Sequence, residues 1–557
     1  MSRRVVVASG YFNPLHYGHV SYLEKAKESG HSLIVVVNND VQAARLIDEG
    51  RDYVSLPARE RVKLVRSLAC VDLAIEAVDT DESVAETLRL LHPDVFANGG
   101  SAKPTKKERD ICISLGIQMV DGLGMEIVPL KGFTQHYDWG KPRESSVVAK
   151  LAGEQTTPPG CTNPQDAAKP FAELWMGDHP SGPSSVLLSP PESPANESLE
   201  PRAPRASSLT DLLVRSPSLL GPKLSASKQL PFLLKVLSIH KALSIQAHPD
   251  RALAARLHRE RPDLYKDANH KPEIAIALSD DFEALCGFRT HAQIVELLED
   301  MPELRALVGT DEAVQLEEAK TDEAQKAALA AAFGTLMRQP AEAVREQATR
   351  LNARAEAILA DGSTSPERQK LLALVRRLYN QYGDDVGIFS ALLMNYVQLG
   401  KGSCLYMAQN VPHAYLSGDI VECMACSDNV VRGGLTPKFK DIEVLCEMLD
   451  YRGRSAHIIH PVKVEEGVHL YADRVIEEFQ VTHVSFEKGR QKRMCFSSVG
   501  PSMVFTNKGT GTIRISGEYK ELSPGTVFML SSGVEPDIMA TTSLDLFVAC
   551  CPPEYFR

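Results

Sequence analysis

"YKDANHKPEIAIAL", residues 265–278, sets Asn269, His270, Lys271 and Glu273 directly in front of an apolar run. Polar and charged groups at the mouth of a buried segment are costly unless they have partners. Upstream, "ALSIQAHPD" (242–250) breaks another apolar run with Ser244, Gln246 and His248. These three alternate with Ile245 and Ala247, and a strand's period of two sends them out of one face together. In "NHKPE" Pro272 keeps the preceding backbone extended, so Lys271 and Glu273 can also share a face. His413 precedes an apolar strand in "MAQNVPHAYLSGDIVECMACSDNVVRGGLTPKFKD" (407–441). Two imidazoles, a carboxylate and an amide oxygen are N/O ligands suited to Zn²⁺, and they leave the ion open to water or substrate. Each histidine can equally be a satisfied core or turn residue, and residue chemistry alone leaves both readings open.

The surrounding chain is multidomain, since 557 residues exceed one domain at roughly 150 residues each. Residues 1–124 alternate strand and helix: "RRVVVASG", "HVSYLEKAKESG", "HSLIVVVNND", "PARERVKLVRSLA", "VDLAIEA", "DESVAETLRLLHP", "DVFANGG", "TKKERDICISLG". That order predicts a Rossmann-like parallel sheet with helices on both faces. Residues 125–280 turn to strand-like alternation, broken at about 180–208 by a Pro/Ser-dense stretch expected to be disordered. Residues 281–396 read as a helical domain, with tracts such as "EAQKAALAAAFGTLMRQ". Residues 397–557 become short strands with Gly-bearing turns, the pattern of a jelly roll.

A hydrophobic fraction of 43% and a charged fraction of 24% are those of globular protein. The net charge of −11 argues against a general nucleic-acid binder, though local Lys and Arg can still hold a small anion. The first apolar run breaks at Gly10, too short for a secretory signal, and no stretch has the roughly 18 apolar residues of a membrane span. The eleven cysteines lie mostly in apolar runs and read as reduced thiols of a cytoplasmic protein. Cys423 and Cys426 form a CxxC with no second pair beside it.

"YKDANHKPE", "LSIQAHPD", "PFAELWMGDHP" and "PHAYLSGDIVECMACSDNVVRGGLTPK" resemble the type I mannose-6-phosphate isomerases, zinc enzymes of cupin fold, from about Leu130 to the C-terminus. The resemblance implies Zn²⁺ ligands at Gln246, His248, Glu273 and His413. It also implies exchange of mannose 6-phosphate with fructose 6-phosphate through an enediol, which needs a base, a cation for the oxyanion and a phosphate clamp. The family's catalytic arginine falls on Arg432. Arg432 and Lys438 would bring positive charge to phosphate and enediolate, and arginine's planar fork suits phosphate. Lys271 and Glu422 remain as proton-transfer candidates, with Ser244 as a substrate contact. Trp139 and Trp175 read as core. The complete ligand set with Arg432 argues against a noncatalytic sugar-binding module.

In "ASGYFNPLHYGHVSYLEKAKESG" (8–30), His16 and His19 stand at a strand-to-helix junction, with Gly18 permitting close backbone approach. Such a junction suits an anionic phosphate. "VVVASGYFNPLHYGH", "LIVVVNND" and "DVFANGG" resemble the cytidylyltransferase-like nucleotidyltransferases over roughly residues 3–124. The resemblance implies an NTP with Mg²⁺ and a phosphorylated acceptor, catalytic roles for His16 and His19, and a nucleotide loop of Tyr11, Phe12, Asn13 and Gly18. It departs where a Ser/Thr-rich nucleotide segment usually follows; here "GIQMVDGLG" runs into "MEIVPLKG". Two readings follow: an active nucleotidyltransferase, or a nucleotide-binding regulatory or vestigial module beside an isomerase.

Overall fold

The computed structural model describes residues 4–13, 15, 17–48, 56–99, 104–124, 126–154, 169–187, 208–221, 223–362, 364–497, 500–515 and 518–552. They form two compact units. One joins Met1–Gly132, Met176–Leu230 and Val484–Arg557; the other joins Phe133–Trp175 and Pro231–His483.

In the first unit, β1 (Val5–Gly10), β2 (Ser32–Val37), β3 (Leu73–Glu76), β4 (Val95–Gly99) and β5 (Gln118–Leu123) make a parallel sheet of order β3-β2-β1-β4-β5. Val6, Ala8, Leu33 and Val35 bury in one cluster, while Val7, Val36 and Phe96 bury in another. Both faces are therefore covered, which is why these strands read as unbroken apolar runs. The Lys106–Leu115 helix starts on a Thr105–Glu108 capping box and stops at Gly116 in the left-handed region. Two elements escape the sequence reading: the helix Asp40–Asp48 and the strand β5. Polar Gln118 and Asp121 and the glycines around them hide β5 from a pattern search, yet it pairs in parallel with β4.

The same unit holds antiparallel strands. Val527–Leu530 lies between Ser502–Lys508 and Ile127–Lys131, and Leu544–Cys550 flanks the former. A four-stranded sheet of Gln491–Arg493, Asp537–Ala540, Gly511–Ile515 and Glu518–Leu522 accompanies them. Residues close behind the N-terminal domain thus share a sheet with residues near the C-terminus. Of the Pro/Ser-rich stretch, residues 188–207 lie outside those described; Ser185–Val186 is not disordered but a short strand on Leu130 and Lys131.

The second unit is built on one long strand, His413–Ala425. Its first half pairs with Phe282–Phe288, setting Cys286 opposite His413. Its second half pairs with Phe232–Ile239 on one side and Glu273–Ala277 on the other. Both pairings are antiparallel, and these sheets give the unit its cupin-like character. The helices from His291 to Leu393 are inserted between two strands that pair with each other, Phe282–Phe288 and Met394–Leu399. The Ala341–Asp361 helix shows why they pack: Val344, Ala348, Leu351 and Ala355 recur at helical spacing and are buried.

Gly418 sits where the long strand passes from one set of partners to the other, at φ 108°, with Phe282 Cα 2.7 Å from where a Cβ would lie. Only glycine fits both conditions. Gly418→Ala is expected to destabilise the fold by about 1–3 kcal/mol, read as a lower thermal midpoint.

Candidate functional site

Strand registers bring the separated polar residues together. Gln246 lies on the short strand Ile245–Ala247, opposite His413 on one side and Arg432 on the other. The strand is shorter than the alternation predicts: Ser244 precedes it and His248 follows it. Glu273 opens the strand Glu273–Ala277, and Lys271 Nζ stands 3.3 Å from Glu273 Oε1.

His248, Glu273 and His413 converge. Glu273 Oε2 is 3.4 Å from His248 Nε2 and 3.3 Å from His413 Nε2, and all three side chains are buried. His248 Nδ1 meets the Asn429 carbonyl at 2.6 Å, and His413 Nδ1 meets the Val411 carbonyl at 3.0 Å. A carbonyl only accepts, so each Nδ1 carries the proton and each Nε2 turns a lone pair inward. Burial pushes His248 down to about 4, which keeps its imidazole neutral. Burial alone would raise Glu273, but the Lys271 ammonium and the neighbouring imidazoles outweigh it and hold the carboxyl well below the usual range. His248 Nε2, His413 Nε2 and Glu273 Oε2 therefore crowd together with no hydrogen-bond donor. Three buried acceptors in that arrangement are unfavourable by themselves, and a divalent cation among them removes the conflict. The residues fit a metal ion.

Beside this cluster lies a charge network of which the sequence reading named Glu422 and missed Lys235 and Glu173. Lys235, buried in the run "PFLLKVLSI", is the register partner of Glu422, and its Nζ is 2.9 Å from Glu422 Oε2 and 3.6 Å from Glu173 Oε2. Tyr415 Oη donates to Glu422 Oε1 at 2.7 Å, and Trp175 Nε1 donates to Glu173. Burial opposes charge on Lys235, but Glu422, Glu173 and Glu273 outweigh it and keep the ammonium charged. Burial raises the Glu422 carboxyl, and Glu273 and Glu173 raise it further. The available signal was a lone lysine inside an apolar strand, which needs a buried counter-ion. Trp175 packs in the core against Leu233 and Met424, as expected, and the Lys235 ammonium lies 5.0 Å from its ring centroid.

Arg432 is partly buried, and among the described residues no carboxylate pairs with it. Lys438 is exposed, its Nζ 6.0 Å from the Tyr137 ring centroid; Tyr137 stacks on Trp139 at 5.7 Å. Cys423 is buried and Cys426 half-buried, and neither is in a disulfide.

At the C-terminal end of β1, Phe12 is buried with a φ of 51° and meets the His19 ring edge-on at 5.0 Å. A bulky residue in the left-handed region is strained, and such strain gathers at functional loops. Fully buried Arg61 holds that loop, donating to the Tyr11 carbonyl at 2.8 Å and the Asn38 carbonyl at 2.7 Å. Asn13 is buried beside it, and Gly18 lies in the first turn of the Tyr17–Glu28 helix. His16 lies outside the described residues.

The phosphomannose isomerase type I catalytic domain matches residues 127–291, and that family's helical insertion domain matches 307–394. A mannose-6-phosphate isomerase of Saccharomyces cerevisiae is 39% identical over 427 residues, covering 73% of this chain and 94% of the yeast protein. The chain belongs to the type I mannose-6-phosphate isomerase family. Other relatives in it include mannose-6-phosphate isomerase 2 of Arabidopsis thaliana, 38% identical over 74% of this chain and 90% of its own. The Mus musculus enzyme is 36% identical over 76% of this chain and 98% of its own. A Salmonella typhimurium mannose 6-phosphate isomerase, solved with fructose 6-phosphate and zinc, superposes at a TM-score of 0.62 with 26% identity, covering 76% of this chain and 99% of its own. To this isomerase chain is joined a cytidylyltransferase-like domain, matched over residues 7–117. No described helix is long and apolar enough to cross a membrane.

Lys235→Met would leave three buried carboxylates facing Lys271 alone. The variant is expected to lose about 3 kcal/mol of stability, seen as a lower thermal midpoint than wild type.

Proposed function

We propose that this chain is a zinc-dependent mannose-6-phosphate isomerase that interconverts mannose 6-phosphate and fructose 6-phosphate. The convergence of His248 Nε2, His413 Nε2 and Glu273 Oε2 without a donor carries the reading. Gln246, His248, Glu273 and His413 would hold the Zn²⁺, and their N/O character fits that ion. When bound, the ion supplies a Lewis acid that polarises the substrate's carbonyl and hydroxyl oxygens.

The chain's own residues then divide the work. Isomerisation moves a proton between C2 and C1 of the open-chain sugar through an enediol. Lys271 and Glu422 are the groups for that transfer. Both oxygens of Glu422 already accept hydrogen bonds, from Tyr415 and Lys235, which favours Lys271 as the group exchanging a proton with substrate. Arg432, with no carboxylate partner among the described residues, is suited to the enediolate or phosphate, with Ser244 and Lys438 as further substrate contacts. Binding sugar phosphates needs no reversal of the chain's overall negative charge, since these cations act locally. The cysteines among the described residues form no disulfide and are mostly buried, which supports a cytoplasmic setting.

Chelator-stripped protein is expected to lose isomerase activity and regain it with Zn²⁺. Arg432→Ala should keep its zinc while kcat/KM falls by roughly 10²-fold, measured by coupled assay of fructose 6-phosphate. Undiminished turnover after metal removal would reject the zinc reading.

For the N-terminal domain we propose a nucleotidyltransferase that uses an NTP with Mg²⁺ and a phosphorylated small molecule, with His16 and His19 at the reacting phosphates. The family match over residues 7–117 and the strained loop at Tyr11, Phe12 and Asn13 support it. The direct run from β5 into Ile127–Lys131, without the usual Ser/Thr-rich segment, favours the second reading of a nucleotide-binding regulatory or vestigial module. Pyrophosphate release across a panel of NTPs and sugar or polyol phosphates separates them. Release that depends on one NTP and one acceptor and vanishes in His16→Ala is the expected result; nucleotide binding without release would leave the second reading.

A further inference from the structure

The two histidines of the cluster are oriented by different means. His413 Nδ1 bonds to the carbonyl of Val411, two residues back and just before its own strand. His248 Nδ1 reaches Asn429, 181 residues along the chain, in a stretch between strands that no sheet ladder holds. Something else must fix that carbonyl, because its position sets where His248 Nε2 points.

The Asp267 carboxylate does so. It accepts from Asn269 N at 2.9 Å, Ser427 Oγ at 2.8 Å, Asp428 N at 2.8 Å and Asn429 Nδ2 at 3.2 Å. Asn429 Nδ2 also donates to the carbonyls of Asp267 at 2.8 Å and Asn269 at 3.0 Å. Asn429 and Ser427 are buried and Asp267 is half-buried, so all of these bonds but the one from the exposed Asp428 N are partly shielded from water. Six residues beyond Asp267 the same loop delivers Glu273. One carboxylate outside the cluster thus ties the loop that orients His248 to the loop that supplies Glu273.

We propose that Asp267 is a positioning residue of the metal centre, setting His248 and Glu273 in register through its bonds to Ser427, Asp428 and Asn429. This rests on the zinc reading above. Groups that orient metal ligands commonly govern affinity almost as strongly as the ligands do.

The test uses the full-length protein, Asp267→Asn and Ser427→Ala. Asp267→Asn keeps the side chain's size but turns a donor on the donors around it; Ser427→Ala deletes one bridging hydroxyl and serves if the first variant does not fold. Competition with a chromophoric chelator should show zinc held about 10- to 100-fold more weakly in Asp267→Asn, with a smaller loss in Ser427→Ala. The absorption bands of the cobalt(II)-loaded protein should shift, reporting altered ligand geometry rather than lost stability. Metal-free thermal midpoints, measured alongside, separate plain loss of hydrogen bonds from loss of zinc-dependent stabilisation. Variants that bind zinc as tightly as wild type with unchanged cobalt bands overturn the positioning role alone. Wild type that binds no zinc overturns the metal reading, and this proposal with it.

Discussion

The strand His413–Ala425 is the constraint on which the second unit depends. It pairs with the strands that carry Lys235, Gln246, Glu273 and Cys286, and it contributes His413, Tyr415 and Glu422 itself. Among the described residues no other strand pairs with as many of these strands. Its reach comes from the turn in its course at Gly418, which lets one continuous strand serve two sets of partners. His413 at one end meets Glu273, and Glu422 near the other end meets Lys235. Because ladder register is set residue by residue, a one-residue slip would carry every one of these side chains to the opposite face.

The charges gathered along that strand explain why the site is both buried and reactive. Glu173, Glu273 and Glu422 share an interior with Lys235 and Lys271, leaving an excess of negative charge before any ion is added. Desolvation makes such a set expensive, and only close pairing keeps it in the core. A divalent cation among the His248, His413 and Glu273 side chains would reverse that balance. Burial first, and then the neighbouring Glu273 and Glu173, raise the Glu422 carboxyl, while the Lys271 ammonium and the imidazoles outweigh burial and hold Glu273 low. Two carboxylates on neighbouring strands are thereby shifted in opposite directions by their surroundings.

Family membership covers the isomerase from Ile127 onward, and the matched cytidylyltransferase-like domain lies before it in the chain. The first unit nonetheless includes both the parallel sheet and the strands near the C-terminus, because Ile127–Lys131 pairs with Val527–Leu530. The polypeptide leaves the parallel sheet at β5 and enters an antiparallel one within a few residues.

Much was legible in the residues alone. Unbroken apolar runs separated by helical patterns determined the N-terminal parallel sheet, because strands buried on both faces have no polar alternation to show. Alternation and turn residues likewise determined the later β character, and Ala- and Leu-rich spacing determined the helical insertion. Ser244, Gln246, His248, Lys271, Glu273 and His413 stood out as polar groups against apolar runs. Tertiary structure decided what they face. The Lys235–Glu422 pair joins residues 187 positions apart in a register no local pattern encodes. Nothing in the sequence singled out Asp267, and only the return of 427–429 to its side gave its carboxylate these partners. Periodicity reports which side chains leave a strand together; only the folded chain determines which of them meet.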